Sequence, residues 1–460
     1  MAKMSYNNYL KQKSGCNKYD GFKPLFIPDY LFDFQKSLVE WSIKKGRSAI
    51  FADCGLGKSV MELVYAENIV KKTNGRVLLL TPIAVGIQMV KEATKFGISA
   101  KRSIDGKLNS KIIISNYERL HYFNPSDFTG VILDESGILK NFNGATKHAI
   151  NIFMRKIKYR LLATATPSPN DFIELGTSSE ALGYLGYMDM LSKFFKNDQN
   201  NCATNRRGRF TEATKWRLKG HAQQSFWKWV TSWSRAIRYP SDLGFDDDGF
   251  ILPELKEELH KLQISRKPEA NRLFTLPASG LKEVRDERRA TIKERCERAC
   301  DIVKDKDTIS IIWCNLNAEG DLLERIIPNS VQISGRDKDD SKEKKLTAFT
   351  NGKIKTLITK PKIGAWGLNW QHCNNVIFFP AYSYEQYYQA IRRCWRFGQK
   401  KPVTVNLIYT QGDINAIKNL RRKQKQADCM FTNLIKEMNN AEGISTITKF
   451  KKEIEVPSWL

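Results

Sequence analysis

Short, nearly continuous apolar runs alternate with amphipathic stretches in two blocks along the chain. In the first block the runs are SAIFA (48–52), RVLLL (76–80), KIIIS (111–115), GVILD (130–134) and YRLLA (159–163). In the second they are TISIIWC (308–314), SVQIS (330–334), KTLIT (355–359), NVIFF (375–379) and VTVNLI (403–408). Strands that lack polar alternation are buried on both faces, and helical stretches between them mark parallel sheets covered by helices. The pattern predicts an α/β protein of two doubly wound parallel-sheet lobes. Between about residues 172 and 300 it changes to aromatic, basic and helix-periodic, with few strand signals. That predicts a mainly helical insertion and connector. Beyond about residue 412 the chain is polar and basic, which predicts a helix and then a loose end. The expected segments are therefore 1–171, 172–300, 301–412 and 413–460.

A chain of 460 residues exceeds one compact core, which agrees with two lobes and an appendage. Its net charge of +26 favours a polyanionic partner, most commonly nucleic acid, although a generally lysine-rich proteome gives the same excess. No apolar stretch is long enough to predict a membrane span, and the N-terminal residues show no apolar secretory core. The nine cysteines form no Cys-x-x-Cys pair. Cys296 and Cys300 lie one helical turn apart without a second pair to complete a zinc site, so all are read as reduced, in a cytosolic setting.

The strongest chemical signal is Ala52-Asp53-Cys54-Gly55-Leu56-Gly57-Lys58-Ser59, between an apolar strand and a plausible helix. Gly55 and Gly57 let backbone N–H groups close around phosphates, helped by the helix N-terminus. Lys58 is placed to reach the β- and γ-phosphates, and the Ser59 hydroxyl to bind Mg²⁺. The strand 130–134 ends in Asp134-Glu135, at the sheet edge where α/β proteins bind ligands. Asp134 can hold Mg²⁺, and Glu135 can orient or deprotonate an attacking water. Upstream, Asp33 is the expected N-cap of a helix that carries Gln35 in its first turn, where an amide can read an adenine edge. In the second block, Ser383 and Gln386 read as a capping box for a helix from about Tyr384 to Phe397, stopped by Gly398. Gln389, Arg393 and Arg396 then share one face, with Arg392 on another. Two arginines presented together suit a phosphoryl transition state, and a basic face toward DNA or solvent is the bland alternative.

These pieces in this order resemble superfamily-two helicases, and more narrowly Swi/Snf-type DNA translocases and compact phage- or prophage-encoded DEAD/DEAH-box helicases. The likeness covers most of residues 28–412. Gln35 matches the adenine-reading glutamine, and Gly55 to Ser59 match motif I. Thr81-Pro82 resembles motif Ia, Asp134-Glu135-Ser136-Gly137 the DEAD/DEAH box, and Thr164-Ala165-Thr166-Pro167 motif III. Gly364-Ala365-Trp366-Gly367-Leu368-Asn369 resembles motif V. Gln389 to Gln399, with its Arg-Phe-Gly-Gln ending, resembles motif VI. Departures are Ser136-Gly137 after the box, and Trp366, Trp395 and Arg392 where Swi/Snf proteins often have glycine, histidine and glycine.

The resemblance implies two RecA-like lobes, ATP and Mg²⁺ as cofactors, and Arg393 and Arg396 as arginine fingers. Expected nucleic-acid contacts are Thr81, Ser115, Thr164, Thr166, Trp366 and Asn369, with Arg207 and Arg209 from the insertion. The function it implies is an ATP-hydrolysing translocase on duplex DNA. A strand-separating helicase on forks or junctions, and a non-hydrolytic nucleic-acid scaffold, are the alternatives. A monomer in a bacterial or phage-infected cytosol, with no membrane contact, is the expected setting.

Overall fold

The computed structural model describes residues 19–83, 85–140, 144–197, 216–263, 281–306, 308–364, 369–380 and 383–442. Arg207, Arg209 and Trp366 lie outside them, as does the end of the chain that the sequence predicts to be loose. The described residues form two compact units, one up to Asp247 together with 426–442, the other from Asp248 to Lys425.

The first lobe holds a seven-stranded, wholly parallel sheet. Its strands are β1 (Arg47–Ala52), β2 (Arg76–Thr81), β3 (Ala100–Arg102), β4 (Ile112–Asn116), β5 (Phe128–Asp134), β6 (Tyr159–Ala163) and β9 (Ser234–Ile237), in the order β3-β4-β2-β5-β6-β1-β9. Five of these are the predicted runs, each buried almost end to end, as the unbroken apolar pattern requires. Two further strands, β7 (Phe195–Asn197) and β8 (Trp216–Leu218), make a small antiparallel pair.

The second lobe holds a six-stranded parallel sheet of β10 (Leu255–Lys261), β11 (Ser310–Trp313), β12 (Ser330–Ile333), β13 (Thr356–Thr359), β14 (Asn375–Phe378) and β15 (Val403–Tyr409). Its order is β10-β15-β14-β11-β13-β12. Two α/β lobes with parallel sheets are thus the fold, as read from the pattern.

The stretch from 172 to 300 differs in detail from the helical reading, because it supplies a strand to each sheet: β9 pairs with β1, and β10 with β15. The aromatic residues of this stretch include Phe226, Trp227, Trp229 and Trp233. All four side chains join the first lobe's main cluster with Phe51, Leu133 and Leu162. Trp233 packs edge-on against Phe51, and Trp227 against Phe172. The helix Gln223–Thr231 is covered on two sides, so both Trp227 and Trp229 are buried despite their spacing. Polar residues after 412 form the expected helix, Ile414–Glu442. Its residues Met430, Phe431 and Leu434 are buried in the first lobe's cluster.

Candidate functional site

Parallel strands in a doubly wound sheet present their carboxyl ends on one side, and the loops there are where ligands bind. In the first lobe β1, β6 and β5 lie side by side, and their carboxyl ends carry Asp53 to Lys58, Thr164 and Asp134-Glu135. The Thr164 N–H bonds to Ile50 O at 3.2 Å, which locks the β6 end onto β1.

The loop after β1 has the backbone a phosphate cradle needs. Gly55 and Gly57 have φ of 95° and 79°, left-handed values that a side chain would resist. Gly57 is the N-cap of the helix Lys58–Thr73. The Lys58 ammonium donates to Ala52 O at 2.9 Å and to Asp53 O at 3.3 Å, so it folds back over its own loop. Ser59 stands in the first turn of that helix, beside Lys58.

Gln35 is 4% exposed and bridges two segments. Its Nε2 donates to Leu56 O at 2.9 Å, and its Oε1 accepts from the Phe32 N–H at 3.1 Å. Here the sequence reading needs correction. The helix starts at Asp33 itself, with Phe32 as N-cap, because the Gln35 amide already takes the Phe32 N–H. Asp33 instead forms an exposed ion pair with Lys36.

At the end of β5 both carboxylates are buried, Asp134 at 5% and Glu135 at 8%. Glu135 has φ of 52°, a left-handed backbone rare for a residue with a side chain. Its Oε2 accepts from Thr164 Oγ1 at 3.3 Å, which joins the carboxylate strand end to the Thr-Ala-Thr segment despite the Ser136-Gly137 departure. The Tyr117 hydroxyl donates to Asp134 O at 2.5 Å and fixes that strand end from below. Burial, and then the neighbouring Glu135, push the Asp134 carboxyl up to about 7. A bound cation reverses that balance. The Ser59 hydroxyl and the Asp134 carboxylate are the hard oxygen donors that suit Mg²⁺, so the residues present fit the group.

The other expected positions divide. Thr81, Ser115 and Thr164 are buried, and their hydroxyls donate to Pro82 O, Ser103 O and the Glu135 carboxylate. These bonds serve the interior of the lobe. The Thr166 hydroxyl and Asn369 Oδ1 are buried with no hydrogen-bond partner among the described residues.

In the second lobe the helix begins as expected, with the Ser383 hydroxyl accepting from the Gln386 N–H at 3.3 Å. It ends at Ile391, however, not at Phe397. Past Ile391 the backbone tightens into shorter turns, with the Arg393 N–H on Ala390 O at 3.3 Å and the Cys394 N–H on Ile391 O at 3.0 Å, and the carbonyls just beyond are engaged elsewhere. Trp370 N–H bonds to Arg393 O at 2.9 Å, and the Gln399 side chain reaches Cys394 O at 3.1 Å. Gln389 and Arg393 still meet, with Arg393 donating to Gln389 O at 3.0 Å and to Gln389 Oε1 at 2.5 Å. Arg396 follows in a turn, so it does not share a helical face with them. Arg392 lies over the Trp395 ring at 4.7 Å, and the Trp395 indole donates to Pro253 O at 2.7 Å. Trp395 is therefore a packing residue within this lobe.

Sequence reasoning missed Glu62, which is fully buried on the helix Lys58–Thr73, and the part that Tyr117 plays behind Asp134. The signal for Glu62 was present: a carboxylate one turn after Lys58 on a helix whose neighbours are mostly apolar.

Residues 294–398 match the family model described as the helicase conserved C-terminal domain. Part of the chain is also similar to the bifunctional helicase and thymine dioxygenase JBP2 of Leishmania. The Leishmania braziliensis protein is 32% identical over 102 residues, which is 22% of this chain and 9% of that protein. The Leishmania infantum protein is 29% identical over 116 residues, 24% of this chain and 10% of that protein. The aligned part thus spans about a tenth of the length of these relatives. On these matches residues 294–398, in the second lobe, are similar to a helicase conserved C-terminal domain, and part of the chain is similar to a helicase.

Proposed function

We propose that the chain is an ATP-hydrolysing motor that moves along nucleic acid, acting as a Swi/Snf-like translocase on duplex DNA. One observation carries the reading. Three neighbouring strand ends bring Lys58, Ser59, Asp134, Glu135 and Thr164 together around a loop whose two glycines hold left-handed backbone. Lys58 is the group for the β- and γ-phosphates, released from Ala52 O and Asp53 O when phosphate oxygens replace those carbonyls. Ser59 and Asp134 would hold Mg²⁺, which when bound offsets charge on the phosphates. Glu135 orients or deprotonates the attacking water, with the Thr164 hydroxyl fixing its carboxylate. Gln35 ties the loop to the helix that precedes it and offers its remaining amide capacity to the nucleobase. Arg393, with Arg396, is the guanidinium source for the transition state, and Gln389 holds Arg393 in position.

The helicase C-terminal match supports the nucleic-acid partner, and the charge of +26 supports a polyanion. The Swi/Snf assignment rests on the Arg-Phe-Gly-Gln ending of the segment 389–399. ATPase activity measured alone and with single-stranded DNA, duplex DNA, forked DNA and RNA tests the whole reading. Duplex DNA should stimulate most. Strongest stimulation by forked DNA together with strand displacement would favour the strand-separating alternative. Lys58→Ala should abolish turnover, and unchanged turnover would remove the nucleotide site.

A further inference from the structure

The helix Asp33–Lys45 carries Ser37, Glu40, Trp41 and Lys44 at the spacing that stacks side chains along one face. The segment before the helix hooks back onto its last turn. The Asp20, Gly21 and Phe22 N–H groups donate to the Lys45, Lys44 and Ile43 carbonyls at 3.3, 3.1 and 3.2 Å. Gly21 permits this approach, since a side chain there would collide with Ile43 O. The hook brings Tyr19 and Phe22 together with Trp41 around an open cavity of about 560 Å³, a size that suits a small ligand group. Tyr19 is 59% exposed, and Phe22 and Trp41 are half-buried. The helix ends where β1 begins, so the cavity lies by the amino end of β1, whereas the phosphate loop follows its carboxyl end.

A cation rests on each of the three rings. Lys45 lies 5.5 Å from the Tyr19 ring centre, Lys72 5.9 Å from that of Phe22, and Arg235 4.0 Å from that of Trp41. Lys45 and Arg235 are buried, so they back their rings from within the lobe, while Lys72 and Lys44 are exposed. The carboxylates at this place, Glu40 and Asp20, are paired with Lys44 and Arg47. Open rings beside exposed lysines supply both halves of a nucleotide site, a face on which a base stacks and positive charge for its phosphates. Base stacking is stronger than an exposed cation–π contact, so a base can take the ring face and leave the Lys72 ammonium to a phosphate. The Glu40 carboxylate accepts from an exocyclic amino group such as that of cytosine, which frees Lys44 for a second phosphate. Lys44 and Lys72 stand on different helices, which suits successive phosphates of a strand better than a single free nucleotide. Bases inside a duplex cannot reach the rings, and an acidic peptide would use the lysines but leave the rings empty.

We propose that this face of the first lobe binds single-stranded nucleic acid, with one base stacked in the cavity of Tyr19, Phe22 and Trp41 and the adjoining phosphates held by Lys44 and Lys72. The site lies apart from the phosphate loop and uses none of its residues. It therefore stands independently of the ATP-hydrolysing reading and adds a single-strand contact to a duplex motor.

Photo-cross-linking locates the contact without relying on turnover. The full-length protein is irradiated without ATP in the presence of a short oligo(dC) that carries 5-iodocytosine, and the linked residues are mapped by mass spectrometry. Cross-links should fall on Tyr19, Phe22 or Trp41. Their yield should drop roughly 5-fold or more in Tyr19→Ala and in Trp41→Ala, the loss expected when one stacking ring is removed. Lys72→Ala should flatten the fall of yield with log salt by about 0.7, the share of one phosphate on a single strand. Cross-links confined to other residues, or a wild-type yield in Tyr19→Ala, overturn the proposal. Should Trp41→Ala not fold, Tyr19→Ala decides alone, because its side chain is largely exposed. Free dCMP that competes as well as unlabelled oligo(dC) at equal nucleotide concentration would overturn the strand assignment, and duplex DNA that competes equally well would overturn the single-strand one. Lys58→Ala should leave the cross-links unchanged, so this site and the nucleotide loop fail separately.

Discussion

Gly57 shows how tightly the candidate site is built. A methyl group there would stand 2.4 Å from Gln35 Nε2, on a backbone already at φ 79°. Gly57→Ala is expected to destabilise the protein by about 1–3 kcal/mol through strain and collision, read from urea unfolding. Adding Gln35→Ala should recover the part due to collision and leave the part due to backbone strain. An additive double variant would show that the two residues do not touch. Glu135 makes a second residue-scale case. Glu135→Gln keeps an acceptor for the Thr164 hydroxyl and removes the charge, so ATP affinity should persist while turnover falls by roughly 10²-fold or more. Equal turnover in a stopped-flow assay would take Glu135 out of the chemistry. Lys58, Ser59, Asp134 and Glu135 were legible because each sits in a short local pattern of strand, loop and helix. Glu62 is marked in the sequence only as a carboxylate among apolar helix neighbours, and its place beside Asp134 depends on the folded sheet.

Elements were legible where local pattern and tertiary environment agree. Every unbroken apolar run became a parallel strand within a residue or two of its expected ends. The strand β9 escaped because its sequence, SRAI, carries an arginine. Arg235 is buried by stacking on Trp41 at 4.0 Å and by donating to Thr231 O and Ser234 O. The strand β10 escaped for the opposite reason. It is an edge strand whose Lys256, Glu258 and Lys261 are exposed, as edge strands commonly require, while the Glu257 side chain is buried in an ion pair with Arg421. The early end of the helix Tyr384–Ile391 goes with tighter turn bonds at Arg393 and Cys394, and with a bond from the Trp370 N–H, distant in sequence, to the Arg393 carbonyl just beyond it. Its start is local and supports a prediction: Ser383→Ala removes the cap on the Gln386 N–H and should cost about 0.5–2 kcal/mol in thermal or urea unfolding. Unaltered stability would mean that the helix is held from its other end.

At the scale of the molecule, the excess of basic residues gives a measurable expectation. Affinity for DNA should fall steeply and log-linearly with salt as phosphate contacts release counterions, and a flat response in a filter-binding titration would argue against a backbone-tracking surface. The two lobes also differ in how they use the chain. The second lobe's described residues all fall between Asp248 and Lys425, whereas the first lobe combines residues up to Asp247 with the end of the long C-terminal helix. Arg238 donates to Asp428 Oδ1 at 2.6 Å and lies over the Phe431 ring at 4.7 Å, while Met430 and Leu434 fill the apolar cluster. On a ribosome, the nascent first lobe therefore has to wait with an unfinished core until the second lobe and then residues 426–442 have emerged. A chaperone that shields apolar surface should remain bound through translation of the second lobe and leave only when Met430 to Leu434 arrive.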